Sequence, residues 1–73
     1  MAEANATYSI TEIVGTSSES IDDAIQSGIA TASKSLRNLD WFEVTEIRGY
    51  IGGEAKPQYM QVTMKIGFRY EES

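Results

Sequence analysis

Twelve consecutive residues alternate without a break near the end of this chain. Met60, Val62, Met64, Ile66, Phe68 and Tyr70 hold one phase, and Tyr59, Gln61, Thr63, Lys65, Gly67 and Arg69 hold the other. Successive side chains of a strand point to opposite faces, so this segment is a long strand with one apolar and one polar side. The first set is expected to face a helix and the second to face away. Any fold for the chain must provide a cover for that apolar side.

The cover is a segment upstream. From Ile21 the apolar positions Ile21, Ala24, Ile25, Gly28, Ile29, Ala32, Leu36 and Leu39 recur at three- and four-residue steps. This pattern predicts an amphipathic helix of about five turns. Ser20 with Asp23 matches a helix-start box, and Thr16 with Glu19 is a second candidate. Asp22 and Asp23 fall in the first turn and Lys34 and Arg37 near the last, each at the dipole end that suits its charge.

Two further strands complete the order. Thr7 to Val14 is rich in β-branched residues, with Tyr8, Ile10 and Val14 on one face, before Gly15-Thr16-Ser17-Ser18 breaks it. Trp41 to Ile51 is the second strand. Its phase shifts midway, because Phe42 and Val44 are even-numbered whereas Ile47 and Ile51 are odd, which predicts a bulge near Thr45-Glu46. Gly52-Gly53-Glu54-Ala55-Lys56-Pro57 is the turn of a hairpin. A strand-helix-strand crossover leaves strands one and two parallel. The third then fits between them, antiparallel to both. The expected fold class is α+β, a β-α-β-β protomer whose three-stranded sheet, in order 1-3-2, wraps on one helix.

Such a chain forms a single domain, residues 1-73, with Met1 to Ala6 expected to fray. A domain of this size buries only roughly 60% of its unfolded surface and is marginal alone. Disulfides, a metal or oligomerisation are the usual remedies. The chain has no cysteine and no histidine, which removes bridges, thiolate metal sites, the commonest metal ligand and the usual general base. Self-association remains. Six basic residues against eleven acidic ones give a net charge of -5, the wrong sign for a surface that tracks phosphates. No apolar run reaches the roughly 18 residues of a membrane span, and Met1-Ala2-Glu3-Ala4-Asn5-Ala6 lacks the marks of a signal peptide. The expectation is a soluble, cytoplasmic, self-associating chain with no nucleic-acid or membrane partner.

Hydrolytic triads and thiol chemistry are excluded by composition. Asp22-Asp23 is accounted for by the helix start and Glu71-Glu72 by a solvated tail. Gly49-Tyr50-Ile51-Gly52-Gly53 lies in a strand and hairpin, so it is no dinucleotide turn. Glu and Asp clustered at subunit contacts are an open route to a calcium site, although no loop shows calcium-ligand spacing. Three groups could build a site together. Trp41, the only indole, is a stacking plane for a flat ligand or else a core or interface anchor. Arg48 is a fixed cationic fork, or else a surface ion pair. Gln61 carries a donor and an acceptor on one amide, able to match the pyrimidine edge of a flavin, or else it is a solvated strand residue.

Val14-Gly15-Thr16-Ser17, Ser20-Ile21-Asp22-Asp23-Ala24-Ile25, Leu39-Asp40-Trp41-Phe42-Glu43-Val44, Glu46-Ile47-Arg48-Gly49 and Tyr59-Met60-Gln61-Val62 together resemble the dodecins, in order and with compatible spacing from Thr7 to Glu71. The resemblance implies a hollow homododecamer that binds flavins in pairs, stacked between symmetry-related copies of Trp41. It implies that Gln61 bonds the flavin ring, that Glu46 lies near the ribityl chain and that Arg48 lies close to the flavin. It implies FMN or riboflavin as the ligand, and a coenzyme A site involving Arg69. Measured against the family pattern, the hairpin ahead of Pro57 is about a residue longer than in some members, so the resemblance carries over the three main contacts but not the exact pocket rim. The expected role is storage, buffering and photoprotection of flavin without turnover, so the chain is not expected to be an enzyme. The alternative is a structural or calcium-stabilised shell of the same fold that binds no flavin.

Overall fold

The computed structural model describes residues 5–70; the fraying expected of residues 1–4 and the tail at Glu71-Glu72 lie outside them. The elements are β1 (Tyr8–Ser17), α1 (Ile21–Ala32), β2 (Leu39–Ile51) and β3 (Pro57–Arg69). They form one sheet in the order β1-β3-β2, with β3 antiparallel to both neighbours. This is the expected β-α-β-β protomer. Its Cα radius of gyration is 14.9 Å, against about 11 Å for a compact chain of this length. The excess reflects an elongated body, 54 × 20 × 18 Å, set by the long β2–β3 hairpin.

The core is small. Val62 and Met64 of β3 form one buried cluster with Ala24 of α1, with Ile13, Ile21, Ile25 and Ile29 packed around them, and Ile66 of β3 is buried as well. The apolar phase of β3 therefore meets the helix over its middle. Tyr70, assigned to the same side from the alternation, is 58% exposed because β3 has run past the helix by then. Helix and sheet approach closely at Gly15. A Cβ there would overlap the Ala24 carbonyl, and Gly28 faces Gly15 across the same gap. Only a residue without a side chain fits between strand and helix at this contact.

The ends of β1 and of α1 differ from expectation. β1 continues to Ser17, where a break after Val14 was predicted. Gly15, Thr16 and Ser17 pair with Val62, Gln61 and Met60, so these small polar residues extend the ladder. Ser17 is buried, and its hydroxyl donates to Asp23 Oδ2 at 2.7 Å while accepting the Glu19 amide at 2.8 Å. Ser20 is the helix cap and accepts the Asp23 amide at 3.0 Å, leaving Thr16 with no capping role. The helix stops at Ala32, well short of Leu39. Beyond it the amides of Lys34 and Ser35 reach back only three residues, to Thr31 and Ala32, and Ser33 Oγ donates to the Ala30 carbonyl. Thr31, Ser33 and Ser35 are weak helix formers whose hydroxyls compete for backbone bonds. Asn38, at φ 62°, then turns the chain into β2 in a conformation that asparagine tolerates. Lys34 and Arg37 thus lie past the helix end, and its last turn holds no basic residue.

The predicted bulge is present. Val44 pairs with Met64 and Glu46 with Thr63, leaving Thr45 unpaired between them. Two further register shifts, at Leu39/Trp41 and Tyr50/Ile51, carried no parity signal.

Among the described residues α1 packs on β1 and β3 and does not reach β2. Phe42, Val44 and Ile47 share the phase of the buried β3 residues opposite them, yet are 47%, 36% and 51% exposed. Burying one such side chain is worth about 1.5–3 kcal/mol, so the uncovered half of this face favours association. No helix of the described residues is long and apolar enough to cross a membrane.

Gly15→Ala should lower the unfolding free energy by about 1–3 kcal/mol, the usual range for overpacking, as read from denaturant melts. An unchanged midpoint would contradict the close approach of β1 and α1.

Candidate functional site

The sheet face away from the helix carries every residue singled out from the sequence. β1 turns Tyr8, Ile10 and Val14 onto it, opposite Arg69, Gly67 and Thr63, whereas Ile13 and Gly15 face the helix. This outer face is therefore not purely polar: Ile10 and Val14 stand 55% and 48% exposed upon it.

Trp41 sits one residue past the Leu39/Trp41 irregularity and pairs with Gly67 of the central strand. Its indole lies over that glycine, and a Cβ at position 67 would overlap the ring. Glycine inside a strand marks a place where another group approaches the backbone closely, and here the group is the indole. Trp41 is neither a core anchor nor a free rotor. It remains 39% exposed, with one side of the ring braced on the sheet. Tyr8 flanks it at 6.5 Å between ring centroids, tilted by 46°. The Tyr8 hydroxyl donates to Asp40 Oδ2 at 2.6 Å. That bond, aided by desolvation and by the Asp40 charge, raises the Tyr8 phenol above its ordinary value of 10.0.

Arg48 and Gln61 face each other across β2 and β3. Arg48 Nε donates to Gln61 Oε1 at 3.0 Å, and Gln61 Nε2 donates to Thr16 Oγ1 at 3.4 Å. A polar chain thus crosses all three strands and fixes which way the amide points. Each end of the amide retains capacity: Oε1 has a second lone pair and Nε2 a second hydrogen. Glu46 follows the bulge at Thr45 and lies opposite Thr63, two residues from Arg48 on the same strand. Tyr50 and Tyr59 close this end of the face as a stacked pair, 4.6 Å apart.

The structure brings Glu46, Arg48 and Gln61 together and places Trp41 elsewhere. Gly67 beneath the indole is six residues from Gln61 along β3, roughly 20 Å at the rise of a strand. No tricyclic ring reaches both within one protomer. Arg69 belongs to the Trp41 end, opposite Tyr8, and its carbonyl accepts from Asn38 Nδ2 at 3.2 Å. It borders a hollow of about 320 Å³ with Ser35, Asn38 and Phe68. A smaller hollow of about 130 Å³ lies between Ile29 and the start of β2. Thr16, which orients Gln61, and Gly67, which braces Trp41, were not foreseen as site residues. Gly67, the one position without a side chain in the alternation of β3, was the available signal. Among the described residues no three carboxylates converge as a metal site.

The dodecin family model matches residues 7–71. A dodecin of Thermus thermophilus is 53% identical over 66 residues, covering 90% of this chain and 94% of that protein. The solved dodecin of Streptomyces davaonensis superposes with a TM-score of 0.89 at 54% identity, covering 94% of this chain and all of the other. That of Streptomyces coelicolor gives 0.89 at 48% identity, covering 97% of this chain and again all of the other. The fold extends to a calcium-chelating antigen of Mycobacterium tuberculosis, a calcium dodecin, at 21% identity and a TM-score of 0.78, with 92% of this chain and 94% of that one covered. At that identity the likeness is one of fold alone.

Two measurements check this geometry. Gly67→Ala should push the sole indole off the sheet, giving a red-shifted tryptophan emission and easier quenching by acrylamide; emission identical to the native protein would contradict the bracing. A difference titration of native protein against Tyr8→Phe should place the Tyr8 phenol above 10.0. A folded value above the unfolded one means that the Tyr8–Asp40 bond adds stability below pH 10.0 and loses it as pH rises through the folded value. A midpoint at or below 10.0 would contradict the bond.

Proposed function

The chain belongs to the dodecin family, and on that premise we propose that it is a flavin-sequestering protein whose site is completed by assembly. The observation that carries this reading is the exposed Trp41 indole braced over Gly67. A rigid aromatic plane with one open side is a stacking platform. Stacking on a base-sized ring contributes about 1–3 kcal/mol per contact. Two protomers related by symmetry bring two such planes face to face and can hold a pair of isoalloxazine rings between them.

The donor set fits a flavin. Gln61, with its amide oriented by Arg48 and Thr16, presents one donor and one acceptor to the pyrimidine edge. Arg48 supplies permanent positive charge nearby, and Glu46 is placed to accept from ribityl hydroxyls. Because Trp41 lies far from this cluster along its own strands, the stacking plane and the polar cluster at one flavin come from different subunits. The uncovered apolar residues of β2 are the surface that assembly hides, and the family form implied is a hollow homododecamer. FMN is the ligand proposed, with riboflavin sharing the same ring. Arg69, beside its hollow at the Trp41 end, is the position proposed for coenzyme A.

The role is storage, buffering and photoprotection, with no turnover. A flavin absorbs light and becomes a strong oxidant. An indole in contact with it gives up an electron that then returns, and the excitation is lost as heat. The cluster holds no histidine, cysteine or paired carboxylate to drive a reaction on a second substrate.

Adding FMN to the flavin-free protein should abolish most of the flavin fluorescence. Trp41→Ala should restore it and weaken binding by roughly 10- to 100-fold, the equivalent of the lost stacking. Undiminished FMN fluorescence with native protein, together with stability that rises on adding calcium, would instead favour the flavin-free shell.

A further inference from the structure

Beside the stacking plane stands a group that binding does not need. Tyr8 is the residue on β1 opposite Arg69, its ring 6.5 Å from that of Trp41, and its hydroxyl is held by the Asp40 carboxylate at 2.6 Å. Asp40 occupies the irregularity of β2 immediately before the indole, where the register shifts between Leu39 and Trp41. One phenol, one base and one indole thus share one corner of the sheet. The other ring pair, Tyr50 with Tyr59, lies at the far hairpin end.

We propose that Tyr8 and Asp40 form a proton-coupled electron donor to Trp41, which refills the indole whenever it has been oxidised. The step balances internally. Trp41 that has lost an electron is a cation radical. Tyr8 passes one electron to it across the ring contact, and the phenolic proton moves along the hydrogen bond to Asp40 Oδ2. The products are neutral Trp41, a neutral tyrosyl radical and a protonated Asp40. Return of one electron to Tyr8, from the reduced acceptor, draws the proton back from Asp40 and restores the starting state. Without a base, oxidation of a phenol yields a strongly acidic radical cation and is uphill from the indole. With Asp40 in place the electron and proton leave together, and the tyrosyl radical lies below the indole radical.

The consequence concerns the flavin site proposed above, and the inference rests on that reading for its biological setting. An indole that donates repeatedly to a light-excited ligand is at risk of irreversible oxidation by oxygen while it is a radical. Moving the hole to Tyr8 shortens that exposure and protects the stacking plane.

The electron step itself can be tested without any flavin. Pulse radiolysis with azidyl radical oxidises tryptophan selectively, and the indolyl and tyrosyl radicals have separate absorption bands. In the native assembly the indolyl band should decay as the tyrosyl band rises, at a rate independent of protein concentration. In Tyr8→Phe the rise should vanish and the indolyl radical should live at least about tenfold longer, the equivalent of one decade in rate. Asp40→Asn, which keeps the shape but removes the base, should slow the conversion and reduce its dependence on deuterated solvent. Conversion in Tyr8→Phe at the native rate would overturn the proposal. An FMN titration of Tyr8→Phe separates the two readings: native-like binding and quenching are expected, and loss of FMN binding in the native protein would remove the flavin site while leaving the radical transfer measurable.

Discussion

The register between β2 and β3 is the constraint from which the rest follows. With Val44 opposite Met64 and Glu46 opposite Thr63, the extra residue Thr45 divides β2 into two phases. Upstream of it, Trp41 and Glu43 share the outer face with Gly67 and Lys65. Downstream, Glu46 and Arg48 share it with Thr63 and Gln61. Without the bulge one of these groups would turn toward the helix side, because a slip of one residue moves every following side chain to the other face. The bulge lets one strand show an indole and, further on, a cation to the same side.

The same register separates the two groups along the strands, and under the proposed flavin reading this leaves the protomer incomplete as a binding unit. Incompleteness also marks its packing. The Gly15–Gly28 contact draws α1 onto β1 and β3 and away from β2, whose inner-face residues Phe42, Val44 and Ile47 stay exposed. A larger helix would cover them and make the chain self-sufficient. Instead, the exposed apolar residues and, under the proposed reading, Trp41, Glu46 and Arg48 of the half-sites are carried by the same strand. Folding, assembly and ligand binding are on this account linked through β2.

Much of this was legible in the sequence. The alternation of β3 fixes a strand with a covered and an open side, and the parity change between Val44 and Ile47 locates the bulge. Topology followed from crossover and hairpin geometry. The end of the helix was not legible, because Leu36 and Leu39 continue the helical spacing after the backbone has left the helix; Thr31, Ser33 and Ser35 are weak helix formers, and the Ser33 hydroxyl bonds the backbone there. The extension of β1 through Gly15 was hidden because a glycine that permits close packing and one that breaks a strand look alike in sequence. For the site, Gln61 and Arg48 were identified by type and their pairing by register. The bracing of Trp41 over Gly67, the orientation of Gln61 by Thr16 and the Tyr8–Asp40 bond are long-range contacts between strands, and the first and last lie at a register shift at Asp40 that leaves no mark in the pattern.

The central claim is that flavin binds to the assembly and not to the single chain. Sedimentation velocity of the FMN-loaded protein, followed at the flavin absorption band over a dilution series, tests it most directly. All bound colour should travel with the large species, and any slow, single-chain boundary should be colourless. Flavin moving with the single chain, or no flavin moving with protein at all, would contradict it.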